Sequence, residues 1–127
     1  MLQFAFWAVL LAAAMPLLWA VLAKSGPGFD NHQPRRYLAG LQGWRQRAQW
    51  AQQNSWEAFA PFAAAVIVAY LMMVTPQQLD AAAAVFIVAR LGYGVCYVAD
   101  WAALRSLCWT VGFGAVVYLF LAAAHLL

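Results

Sequence analysis

Residues 45–57 read RQRAQWAQQNSWE and run without interruption into residues 58–74, AFAPFAAAVIVAYLMMV. A polar, arginine-bearing half leads straight into an apolar half, with Glu57 at the junction. A charge at the centre of a bilayer costs roughly 2.5–3.5 kcal/mol unless a partner or water receives it. The junction therefore predicts a helix rising from a wet, basic surface into hydrocarbon, and a partner waiting for Glu57.

Outward from this stretch the chain stays apolar. Of its 127 residues, 67% are hydrophobic and 9% charged, whereas a soluble domain carries about 25% charged residues. Four runs, 2–23, 56–74, 79–99 and 106–127, approach the roughly 20 helical residues that cross a hydrocarbon core. No strand-like alternation supports a barrel, so helices must satisfy the backbone in lipid. The predicted fold is an all-α integral membrane protein, a four-transmembrane-helix bundle in one domain, 1–127, with a cytoplasmic loop at 24–55. The first run lacks a basic leader and exceeds the length of a signal-peptide core, so it reads as a retained span, kinked at Pro16.

Orientation follows from the cations. Lys24, Arg35, Arg36, Arg45, Arg47 and Arg105 fall on one side of a four-span layout, and the other side has no Lys or Arg. The positive-inside rule places both basic loops in the cytoplasm and both termini outside it. The net charge of +3 arises from these loops. Because the arginines are interleaved with tryptophans, membrane lipids account for them and no nucleic-acid partner is predicted. Cys96 and Cys108 lack metal-ligand spacing and read as small core residues; no metal site is predicted. His32 and His125 receive no role.

Along the chain, Pro34 suits the first position of a helix. That helix is expected to continue, bending at Gly40 and Gly43, into the second span. Trp44, Trp50 and Trp56 read as interface anchors. Thr75-Pro76-Gln77-Gln78 has the pattern of a capping box and opens the third span, which makes spans two and three an antiparallel pair. Gly92, Gly94, Gly112, Gly114 and alanines 81–84 permit close helix approach.

The polar residues inside these runs form a pattern. Arg47, Asn54 and Glu57 share one face of a helix, as do Arg90, Tyr93 and Tyr97. Arg90 lies well within its apolar run and is expected to approach Glu57 in the cytoplasmic half. Arg105 and Ser106 are expected to open the fourth span on that side. Buried ion pairs fixing helix register would explain part of this set. The donors exceed what one Glu requires, which favours a polar, anion-binding cavity open to the cytoplasm.

The ordered set Asn31-x-x-Pro34-Arg35, Gly43-x-x-x-Arg47-Ala48, Asn54-x-x-Glu57-x-x-x-Pro61, Ala89-Arg90-x-x-Tyr93-x-x-x-Tyr97 and Arg105-Ser106 resembles the membrane-associated proteins in eicosanoid and glutathione metabolism, the MAPEG family. It is most similar to the short bacterial members, and the resemblance covers nearly the whole chain. It implies a homotrimer in the bacterial inner membrane, with sites between subunits near the cytoplasmic surface, and glutathione as co-substrate in a bent shape. By matching positions, Arg47, Asn54, Glu57, Arg90, Tyr93 and Tyr97 would line its pocket. Arg105 would hold the thiol as thiolate for the chemical step, with Ser106 as a supporting donor. The chain departs from relatives at Trp50, where an arginine is found, at Gln52 and Gln53, and at Lys24, which stands where some carry arginines.

The function implied is a glutathione-dependent transferase or peroxidase acting on lipophilic small-molecule electrophiles. Two other readings fit the same residues. One is a non-enzymatic membrane protein binding a lipid or other anionic small molecule in the same groove, which Trp50 favours. The other is a small proton-coupled exporter, against which stand Arg47 and Arg90, cations that would neutralise Glu57.

Overall fold

The computed structural model describes residues 4–127. It consists of α1 (Phe4–Ala23), α2 (Pro34–Ala39), α3 (Trp44–Leu71), α4 (Pro76–Val98) and α5 (Ala102–Ala123). Residues 2 and 3 of the expected first span lie outside the described part. The four long helices form one bundle in which α3 and α4 make the shared centre, α1 packing on both and α5 on both from the other side.

Alanines supply many of the inward contacts, and much of the outward surface is large and aliphatic. The buried stripe of α1 includes Ala5, Ala8, Ala12, Met15 and Trp19, spaced at helical intervals of three and four. Leu10, Leu11, Leu17, Leu18 and Val21 of the same helix face outward. Small contact residues let helix backbones approach where lipid tails are as apolar as leucine and only close packing drives association. Gly94 of α4 shows the limit, because a Cβ there would overlap the Trp19 ring. Farther along, Phe62 of α3 stacks on Phe86 of α4, with centroids 3.9 Å apart. Pro16 and Pro61 sit inside continuous helices.

Three helices, α1, α4 and α5, are long and apolar enough to cross a membrane. The second expected span is the apolar end of α3, whose 28 residues extend about 42 Å. Its polar first half keeps it below the hydropathy of the other three. The helix expected to run from Pro34 into this span is broken. α2 stops at Ala39, and α3 begins afresh at Trp44, after Gly43, whose φ of +68° is left-handed backbone that glycine adopts without strain.

The α3–α4 turn is short. Thr75 caps α4 as expected, its hydroxyl accepting the Gln78 N–H at 3.3 Å. The capping box is not reciprocal, however: the Gln78 side chain takes the Thr75 hydroxyl and donates to Tyr118 of α5. The last expected span starts earlier than residue 106, at Ala102, and Arg105 lies in its first turn, its amide bonded to the Trp101 carbonyl at 2.9 Å. The shift has a physical source: Asp100 adopts φ +63° in closing α4, so the chain turns immediately and α5 starts with no side-chain cap. Met73 and His125 adopt the same left-handed conformation after α3 and α5.

Candidate functional site

Asn54, three residues before the junction at Glu57 where α3 turns apolar, is the residue on which the polar side chains converge. Its amide nitrogen donates to Glu57 Oε2 at 3.3 Å, and its carbonyl oxygen accepts from Arg90 Nη2 at 2.8 Å. Glu57 is therefore joined to Arg90 through Asn54, not by the direct approach expected. One amide carries both a donor and an acceptor, and its position one helical turn before Glu57 puts it between the two charges. Arg90 is only 3% exposed and also lies over the Tyr93 ring, 4.1 Å from its centroid.

Three clefts open around Asn54. The first, of about 250 Å³, has Asn54, Glu57 and Arg90 on its polar side and Pro61, Phe86 and Phe113 on its apolar side. A second, of about 310 Å³, adds Tyr93, Tyr97, Arg105 and Ser106. The third, of about 350 Å³, lies between Trp50 and Gln53 of α3 and the two tyrosines. Arg105 rests over the Tyr97 ring, 4.6 Å from its centroid, a cation–π contact that fixes the guanidinium at the cleft mouth. Tyr93 and Tyr97 meet edge to face at 5.6 Å, and Trp50 tilts against Tyr97 at 6.2 Å.

Seven of the eight residues singled out from the sequence thus border one connected system of clefts. Arg47 is placed elsewhere. Its Nε donates to the Val98 carbonyl at 3.1 Å, satisfying one of the free carbonyls at the end of α4 and adding a cation where the helix dipole is negative. Sequence reasoning missed Trp109, which borders the first and second clefts. Its position four residues after Arg105 on α5 was the available signal, since such residues share a helix face. It also missed Asp80 of α4, whose Oδ1 accepts the Ala5 amide at 2.9 Å and caps α1. Among the described residues, no three His, Cys, Asp or Glu side chains come together as a metal site.

The sequence matches the model of the MAPEG family over residues 4–125. The chain belongs to the MAPEG family. Neither the curated proteins nor the solved structures yield a match. MAPEG membership and the three membrane-length helices together make this an integral membrane protein. In this MAPEG chain the Asn54–Arg90 hydrogen bond ties α3 to α4 across the site, and the Arg105–Tyr97 stack ties α5 to α4.

Proposed function

We propose that the protein is a glutathione-dependent transferase or peroxidase acting on lipophilic electrophiles. The observation that carries this reading is the Arg105 guanidinium held over Tyr97 at the mouth of a cleft that shares Asn54 and Trp109 with an apolar one. Glutathione carries two carboxylates, an ammonium and a thiol. Glu57 would take the ammonium, while Asn54, Tyr93 and Tyr97 would hold peptide groups. A free thiol has a pKa of about 8.5, and an adjacent guanidinium lowers it toward the thiolate. Held at Arg105, with Ser106 as a second donor, the thiolate would attack a substrate seated against Phe86, Trp109 and Phe113. At an electrophilic carbon a C–S bond forms as the leaving group departs with its electron pair. At a peroxide the O–O bond breaks to give an alcohol and glutathione sulfenic acid, which a second glutathione reduces to the disulfide and water.

The same reading gives the molecule its setting. The apolar end of α3 serves as a fourth span, and the polar start of α3 and the α4–α5 turn lie on the cytoplasmic side of a bacterial inner membrane, with both termini outside. A homotrimer covers the outward face of Glu57, which is exposed in the single chain. Supporting the orientation is the clustering of six of the seven cations at that end.

Calorimetry of glutathione with the detergent-purified protein tests this, beside Glu57→Gln and Arg105→Ala. Binding that is lost in Glu57→Gln, with glutathione-dependent turnover at neutral pH lost in Arg105→Ala, is the expected result. Absence of binding at millimolar glutathione by an intact wild-type assembly would overturn the proposal.

A further inference from the structure

The two cysteines stand apart from the clefts around Asn54 and close to one another. Cys96 of α4 is buried, as expected of a small core residue, but Cys108 of α5 is only half-buried. The Cys108 side chain is within hydrogen-bonding reach of the Cys96 thiol. Gly92 makes room for it, since a Cβ there would stand 3.1 Å from Cys108 Sγ. Gly92 and Cys96 are four residues apart on one face of α4, so the Cys108 sulfur sits in a notch beside the second thiol. Cys108 also opens onto a groove of about 530 Å³ between α4 and α5, walled by Val85, Val88, Gly92, Leu107 and Val111. This groove shares no residue with the clefts around Asn54.

Two neighbouring thiols, one facing a groove and one behind it, have the arrangement of an oxidisable cysteine with its resolving partner. The groove selects the oxidant. Apart from the Cys108 thiol its side chains are all aliphatic, so a lipophilic molecule partitions there while a strongly hydrated one does not. We propose that Cys108 and Cys96 form a redox-active dithiol that a lipophilic hydroperoxide converts to a disulfide joining α4 to α5. The Cys108 sulfur attacks the terminal peroxide oxygen. An S–O bond forms, the O–O bond breaks, and the departing alkoxide takes the thiol proton to become an alcohol. The Cys96 sulfur then attacks the sulfenic sulfur and displaces hydroxide, which leaves as water with the Cys96 proton. One hydroperoxide is reduced to alcohol and water, and two thiols are oxidised to one disulfide. The bridge forms beside Tyr97 and Trp109, the next residues in the chain, and so ties α4 to α5 at the edge of the site. None of these steps needs glutathione in the clefts around Asn54.

The chain has only these two cysteines, so free-thiol titration and intact mass of the detergent-purified protein read the reaction directly. Reduced wild type is exposed to cumene hydroperoxide or to hydrogen peroxide, with N-acetylcysteine in the same detergent as the reference thiol. Wild type should lose both thiols and the mass of two hydrogens, with peptide mapping joining Cys96 to Cys108 within one chain. Dithiothreitol should restore both thiols. Relative to the reference thiol, cumene hydroperoxide should act at least fivefold faster than hydrogen peroxide. In Cys96→Ser the sulfenic acid should persist at Cys108 and be captured by dimedone, whereas Cys108→Ser should give no adduct at Cys96. Thiols that survive both peroxides would overturn the inference. So would a bridge between chains, or Cys108 driven to sulfinic acid while Cys96 stays free. Equal relative rates for the two peroxides would remove the groove from the reaction and overturn it as well.

Discussion

Arg90 of α4 reaches Asn54 of α3 at 2.8 Å, and through that one amide it communicates with Glu57. A buried guanidinium is costly to leave without partners, and a hydrogen bond to a charged group contributes about 1.5–3 kcal/mol. The Asn54 side chain therefore supports the helix pair as well as the cleft.

Truncating it should show both. Asn54→Ala is expected to lower stability by about 1.5–3 kcal/mol, because Arg90 keeps its burial and loses its acceptor. Denaturant titration in detergent measures this. Glutathione affinity should fall in the same variant. A variant as stable as wild type would mean that Arg90 finds another acceptor or water.

If Arg105 stabilises a thiolate, its effect must depend on pH. The guanidinium depresses the thiol pKa, so in wild type the reactive form is already present near neutrality. In Arg105→Ala the thiol returns toward about 8.5. Turnover should then be weakest near pH 7 and recover as pH rises past that value, each unit of pKa change altering the low-pH rate about tenfold. A pH–rate profile of the same shape in both proteins would remove Arg105 from thiol activation.

The Gly94–Trp19 contact gives a packing test. Gly94→Ala places a methyl where the indole lies, and overpacking of this kind costs about 1–3 kcal/mol. Thermal unfolding should show the loss. Combining Gly94→Ala with Trp19→Leu should recover part of it, since the obstruction is removed. Strictly additive losses would mean that the two positions do not act through their contact.

Met73 offers a change in the opposite direction. It holds φ +62° at the end of α3, where the Val74 amide reaches back to the Ala69 carbonyl at 3.0 Å, and its side chain is 88% exposed. A left-handed backbone costs a residue with a side chain roughly 1–2 kcal/mol, and glycine avoids most of this. Met73→Gly should raise the melting temperature, offset slightly by the freedom glycine has when unfolded. A lower melting temperature would show that the exposed side chain contributes more than its strain.

Local chemistry was readable wherever it acted within a few residues. Thr75 and Pro76 marked the start of α4, and helical spacing grouped Arg90, Tyr93 and Tyr97. What escaped was set by partners far along the chain. Asp80 caps α1 from 75 residues away, and nothing near it signals that contact. Arg47 and Glu57 share a helix face, yet the end of α4 draws the Arg47 side chain to a carbonyl. The direct Glu57–Arg90 pair was a reading of charge alone, and it omitted a neutral amide able to serve both ions. The start of α5 was hidden for another reason: Asp100, a common cap residue, closes the previous helix.

The inward placing of alanines in the bundle has a consequence for how this sequence can vary. In a water-soluble core, exchanging one large apolar side chain for another disturbs the interior. Here Leu10, Leu17, Val21 and Val88 face outward from the bundle, while Ala5, Ala8, Ala65 and Ala83 occupy contacts between helices. Substituting one outward aliphatic residue for another changes the outer surface of the bundle and leaves the spacing of its four long helices alone. Adding two carbons at an inward alanine pushes helices apart. The spacing of the helices is written largely in their smallest side chains, with Trp19, Phe62 and Phe86 the large ones fixed in place among them.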